Sequence, residues 1–91
     1  MMKKKLKYLG YWEAVLYYFF IYQSGNCTRQ GMIKFCKMFC QHPRESIIDP
    51  YRRYLTVAGY LTSTDKPGVY KVLKKPYGNI TIAQVRREAY G

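Results

Sequence analysis

The residues with the most distinctive chemistry are three cysteines and one histidine. Cys36 and Cys40 stand one helical turn apart, His42 follows Cys40 closely, and Cys27 lies well before them. Structural zinc sites present two ligands on a short knuckle and two more at a distance. The spacing here matches none of the common arrangements, so no metal and no cofactor is expected. Cys36 also falls on an apolar helical stripe, where a thiol packs as a small hydrophobe. Two disulfides are conceivable, one joining Cys27 to a helical cysteine and one joining two chains through an odd cysteine. In a reducing cytosol free thiols are the default. The five acidic residues are scattered, and the seven glycines stand singly rather than in a phosphate-binding loop. One histidine with three cysteines lacks a recognisable nucleophile context. Catalysis is not expected.

The second chemistry is charge. Sixteen Lys and Arg face five Asp and Glu, a formal net charge of +11 on 91 residues. Such a surplus points first to a polyanionic partner: DNA, RNA or an anionic membrane. Nine of the cations beyond the basic N-terminus fall into three groups. Arg29, Lys34 and Lys37 lie in one helical stretch, Arg52 and Arg53 in another, and Lys66, Lys71, Lys74 and Lys75 along a hairpin and its exit. Any single lysine is simply a solvated charge; the grouping is what suggests a surface.

The elements that carry these groups can be read in order. The chain is long enough for one domain, residues 1–91. Residues 1–7 form a basic N-terminal arm. Residues 8–23 read as a first helix, with Leu9, Trp12, Leu16, Phe19 and Phe20 on one wide apolar face and Val15 beside it. Tyr11, Tyr18 and Tyr22 extend the apolar surface around the other side. That excess suggests a homodimer contact through the aromatic first helix. Ser24, Gly25 and Asn26 read as a turn. Thr28 reads as the N-cap of a second helix running to about Cys40, with Met32, Phe35, Cys36 and Phe39 as its stripe. Pro43 breaks it.

Residues 49–75 read as a helix, a stop and a hairpin. Asp49 is expected to cap a helix whose first position is Pro50. The competing reading starts that helix near Glu45 and kinks it at Pro50. Gly59 closes it. Residues 60–64 and 69–73 are strands by composition, joined by the turn Asp65-Lys66-Pro67-Gly68. Thr81 and Gln84 make a capping box for a last helix, residues 82–90, with Ile82, Val85 and Ala89 as its apolar stripe. The C-terminal helix is the other candidate dimer contact. The apolar run of residues 11–22 is interrupted by Glu13 and is too short to span a membrane. No secretory signal is evident, and a cytoplasmic protein is expected.

Tyr54-Leu55, Ala58-Gly59-Tyr60-Leu61 and Pro67-Gly68-Val69-Tyr70-Lys71-Val72 together resemble the second half of a winged helix-turn-helix domain. Small archaeal and archaeal-virus regulators of transcription carry similar stretches. The resemblance covers roughly residues 27–75. It implies an α+β, mainly helical fold: a three-helix core, a β-hairpin wing over residues 60–75, and a C-terminal helix. It implies sequence-specific binding of double-stranded DNA, by a homodimer that regulates transcription, in the host cytoplasm if the source is viral. On that comparison the helix before Ala58-Gly59 enters the major groove. Arg44, Glu45 and Ser46 are base-proximal if it starts early, and Tyr51, Arg52 and Arg53 if it starts at Pro50. Lys66, Lys71, Lys74 and Lys75 belong to the wing and grip phosphate or the minor groove. Thr28, Arg29 and Gln30 meet a phosphate at the start of the second helix. Two alternatives stand beside this one: a non-specific architectural or protein-interaction module of the same fold, and a membrane-surface protein using the aromatic helix and the basic arm.

Overall fold

Local signals set most of the helix ends in the computed structural model, which describes residues 9–22, 26–76 and 78–91. The order is α1 (Tyr11–Tyr17), a π-helical turn (Tyr18–Tyr22), β1 (Asn26–Thr28), α2 (Arg29–Phe39), α3 (Glu45–Val57), β2 (Leu61–Ser63), β3 (Val69–Val72) and α4 (Ile82–Tyr90). The fold is α+β and mainly helical, with four α-helices and one three-stranded antiparallel sheet among the described residues. The expected basic arm, the start and end of the first helix, and the turn at Ser24-Gly25 lie outside the described residues.

The Glu13 carboxylate reaches back to the Gly10 N–H at 3.0 Å and starts α1. Thr28 caps α2, its Oγ1 accepting from the Gly31 N–H at 2.9 Å. Thr81 and Gln84 cap α4 reciprocally at 3.1 Å each. Both of these last two ends stand where sequence puts them. The turn over residues 65–68 does join paired strands: Leu61↔Val72, Thr62↔Lys71 and Ser63↔Tyr70. Gly68 supplies the left-handed backbone that this tight reversal requires, at φ 78°.

Three expectations are corrected. Asp49 does not cap a helix at Pro50: of the two readings, the start near Glu45 is the one observed, and Pro50 lies inside α3. Arg44 occupies the N-cap position, and burial of Ile48 against the core holds the extra first turn. Asn26 belongs to a strand rather than a turn. β1 pairs with the far side of β3, giving the sheet order β1-β3-β2. The first helix is not uniform: its wider π-helical end lets Tyr18, Phe19 and Phe20 all turn inward. Tyr18 is therefore core, while Ile21 and Tyr22 point to solvent.

One core joins the layers. Val15, Phe19, Met32, Ile48, Leu55, Leu61 and Val85 are wholly or almost wholly buried within it. The Trp12 indole donates to the Ile80 carbonyl at 2.9 Å, and the Tyr60 hydroxyl donates to Glu88 at 2.7 Å. These two bonds moor the C-terminal segment to α1 and to the start of the hairpin.

Candidate nucleic-acid interface

Asp49, one turn into α3, gathers three hydrogen bonds from two arginines. Its Oδ1 accepts from Arg29 Nε of α2 at 2.9 Å and from Arg52 Nε at 2.9 Å; its Oδ2 accepts from Arg52 Nη2 at 3.1 Å. Arg52 Nη1 donates onward to the Tyr70 hydroxyl of β3 at 2.6 Å. Glu45 adds a longer contact to Arg29 at 3.5 Å. One carboxylate thus ties α2, α3 and the hairpin together. The Arg52 hydrogen bond is the main cause holding the Asp49 carboxyl below the usual carboxylate range, with Arg29 adding to it and burial opposing. The same bond to Asp49 pushes the Arg52 guanidinium above its ordinary value.

This hub takes two residues out of the surface that sequence assigns them to. Arg52 is expected near a base and Arg29 near a phosphate. Both guanidiniums instead face Asp49, and only 13% of the Arg52 side chain is exposed. Tyr51 also turns inward, its ring meeting the edge of Trp12 at 5.3 Å. Thr28 is committed as the α2 cap, and its own N–H donates to the Tyr18 hydroxyl at 3.2 Å.

Besides Glu45 and Ile47 in its first turn, α3 keeps one stripe outward at helical spacing: Ser46, Pro50, Arg53 and Val57. Ser46, Arg53 and Val57 are exposed and Pro50 is half-buried. Pro50 has no N–H, so the Ser46 carbonyl lacks its usual helical donor on this open side. Arg44 is exposed just before the helix, and Gln30 is exposed in the first turn of α2. The stripe follows from the competing sequence reading, which starts the helix near Glu45, the start α3 has.

The lysines divide by position. Lys66 is exposed in the turn at the tip of the hairpin. Lys71 alternates with Tyr70 along β3, so it stands on the face of the sheet opposite the one that meets Arg52. Lys74 and Lys75 are exposed in the exit segment, with the Lys74 ammonium 4.8 Å from the Tyr60 ring centroid. Lys34, Lys37, Arg86 and Arg87 are also exposed, on α2 and α4. Among the described residues, ion pairs involve only Arg29 and Arg52, so every other described cation is left unneutralised.

The cysteines are buried. Cys36 and Cys40 are free thiols, so the disulfide from Cys27 to a helical cysteine is not formed. Burial, reinforced by the neighbouring Cys40, pushes the Cys36 thiol up to about 12. Among the described residues no three His, Cys, Asp or Glu side chains converge as metal ligands would. No helix among them is long and apolar enough to cross a membrane. No family model, no curated protein and no solved structure matches the chain.

Proposed function

We propose that this chain is a winged helix-turn-helix protein that binds double-stranded DNA sequence-specifically and regulates transcription as a homodimer. The element order supports the reading: helix, strand, two helices, then a hairpin whose second strand lies between the other two. α2 and α3 are then the helix-turn-helix pair, and β2 and β3 are the wing. The observation that carries the proposal is the division of labour between neighbouring arginines. Arg52 is spent on fixing α3 to α2 and the hairpin, and Arg53 is left outward and unpaired among the described residues.

Arg53 is the group suited to a bidentate grip on guanine in the major groove, with Ser46 able to bond either base type. Arg44 and Gln30 flank the stripe and suit phosphate oxygens. Lys66 on the wing suits phosphate or the minor groove, and Lys74 and Lys75 add field without sequence information. No catalytic step is part of the proposal. A non-specific architectural role is the second reading, favoured by the exposed Arg86 and Arg87 of α4 and by Lys71 on the opposite face of the sheet from Tyr70. Fluorescence anisotropy on a mixed duplex pool across a salt series tests DNA binding itself. Binding should weaken steeply with salt, and Lys66→Ala should flatten the slope by about one unit. Affinity that does not respond to salt would overturn the proposal.

A further inference from the structure

We propose, resting on the reading that the outer face of α3 meets a duplex, that Arg86 of α4 binds the phosphate strand on the side of the groove away from the wing. Arg52, Arg53 and Tyr54 are consecutive on α3, and each has different surroundings. The Arg52 guanidinium is hydrogen-bonded to Tyr70 of the hairpin. Arg53 is exposed. Tyr54 lies against α4: its ring meets the Tyr90 ring edge-on at 6.1 Å, and the Arg86 guanidinium sits 5.6 Å from its centroid. The two neighbours of Arg53 stand about 100° to either side of it around the helix axis. The exposed stripe of α3 is therefore bordered by the hairpin on one flank and by α4 on the other.

A helix with its side chains is about 10–12 Å across and the major groove about 12 Å wide, so an inserted helix has a phosphate strand close on each side. The hairpin carries Lys66 toward one strand, and α4 brings Arg86 toward the other. Arg87 does not share this place. It stands two residues beyond the buried Val85, about 200° round α4, and so points away from the packed face. Arg86 is exposed, and no acid neutralises it. Glu13 accepts from the Gly10 N–H, Glu45 and Asp49 from the hub arginines, and Glu88 from the Tyr60 hydroxyl. Asp65, in the hairpin turn, makes no ion pair among the described residues. A guanidinium held over a ring face keeps its N–H donors for another acceptor, and its planar fork matches phosphate bidentately. The edge contact from Tyr90 braces the Tyr54 ring beneath it. Such a contact strengthens binding to any duplex and leaves sequence readout to Arg53.

Fluorescence anisotropy of the full chain on a labelled mixed-sequence duplex pool, across a salt series, tests the contact. Arg86→Gln should weaken binding on the order of tenfold at physiological salt and reduce the slope of log affinity against log salt by about one unit. Arg87→Gln removes the same charge from the same helix and should change affinity by less than about twofold, because solvent screens a charge that touches no phosphate. Arg86→Lys should keep the slope and lose part of the affinity with the bidentate fork. Combining Arg86→Gln with Lys66→Ala should flatten the slope by about two units, as loss of two separate phosphates requires. Both glutamine variants should melt within about 4 °C of wild type, which separates lost binding from lost folding. Equal losses from Arg86→Gln and Arg87→Gln, or an Arg86→Gln variant that binds like wild type, would overturn the contact and leave duplex binding standing. A wild type whose affinity ignores salt would instead overturn the DNA-binding proposal, and this contact with it.

Discussion

Replacing Asp49 with asparagine perturbs the hub with the least change of shape. The Asp49 side chain is 21% exposed and that of Arg52 13%, so charge there is costly to leave unmatched. Asparagine keeps the volume and one acceptor but removes the charge served by three guanidinium bonds. Removing one partner of a fully buried pair costs about 3–5 kcal/mol, whereas an exposed pair contributes at most about 1 kcal/mol. Burial here is intermediate, and Tyr70 still accepts from Arg52, so about 2 kcal/mol is expected. In a domain of this length that lowers Tm by roughly 8–16 °C, measurable by circular dichroism. The pH dependence has a definite sign. Because the folded carboxyl is held below its ordinary value, its contribution is complete above the unfolded pKa of about 3.9 and is lost as pH falls through the folded pKa. The difference between wild type and Asp49→Asn should be full at neutral pH and close in strong acid. Equal melting at neutral pH, or a difference that does not shrink on acidification, would refute the reasoning.

Gly31→Ala should destabilise by about 1–3 kcal/mol in urea unfolding, although alanine favours helix. The added Cβ would lie 2.2 Å from the Tyr18 hydroxyl oxygen and 2.9 Å from Thr28 Oγ1, and Tyr18→Phe in the same chain should recover part of the loss. Cys36 should resist iodoacetamide until the chain unfolds, reacting about a thousandfold more slowly than an exposed cysteine in timed mass spectrometry, because burial pushes its thiol up to about 12. Arg52→Ala should lower stability by about 2 kcal/mol, whereas Arg53→Ala should leave it within about 0.5 kcal/mol; thermal melts of the two variants check this.

Sequence legibility followed the range of the interaction. The caps at Thr28 and Thr81, the 65–68 turn and the apolar stripes of α2 and α4 are decided within a few residues, and composition reports them directly. β1 was invisible because three residues become a strand only through β3, some forty positions away. Asp49-Pro50 imitates a helix start in isolation. Sequence leaves a start near Glu45 open beside it, and the burial of Ile48 with the two arginines that Asp49 gathers decides for that start. The same contact explains why Arg52 read as a surface residue: its i,i+3 relation to Asp49 was in the sequence, but Tyr70 was supplied by the fold. The π-helical widening that buries Tyr18 and exposes Ile21 and Tyr22 left no local mark.

In the proposed function the outer face of α3 reads duplex sequence through Arg53. Selection from a random duplex pool at low and physiological salt, with wild type and Arg53→Ala in parallel, tests it most directly. Wild type should enrich a motif at both salts, and Arg53→Ala should lose its preference at one guanine position. A flat profile from wild type, or the same motif from Arg53→Ala, would contradict it.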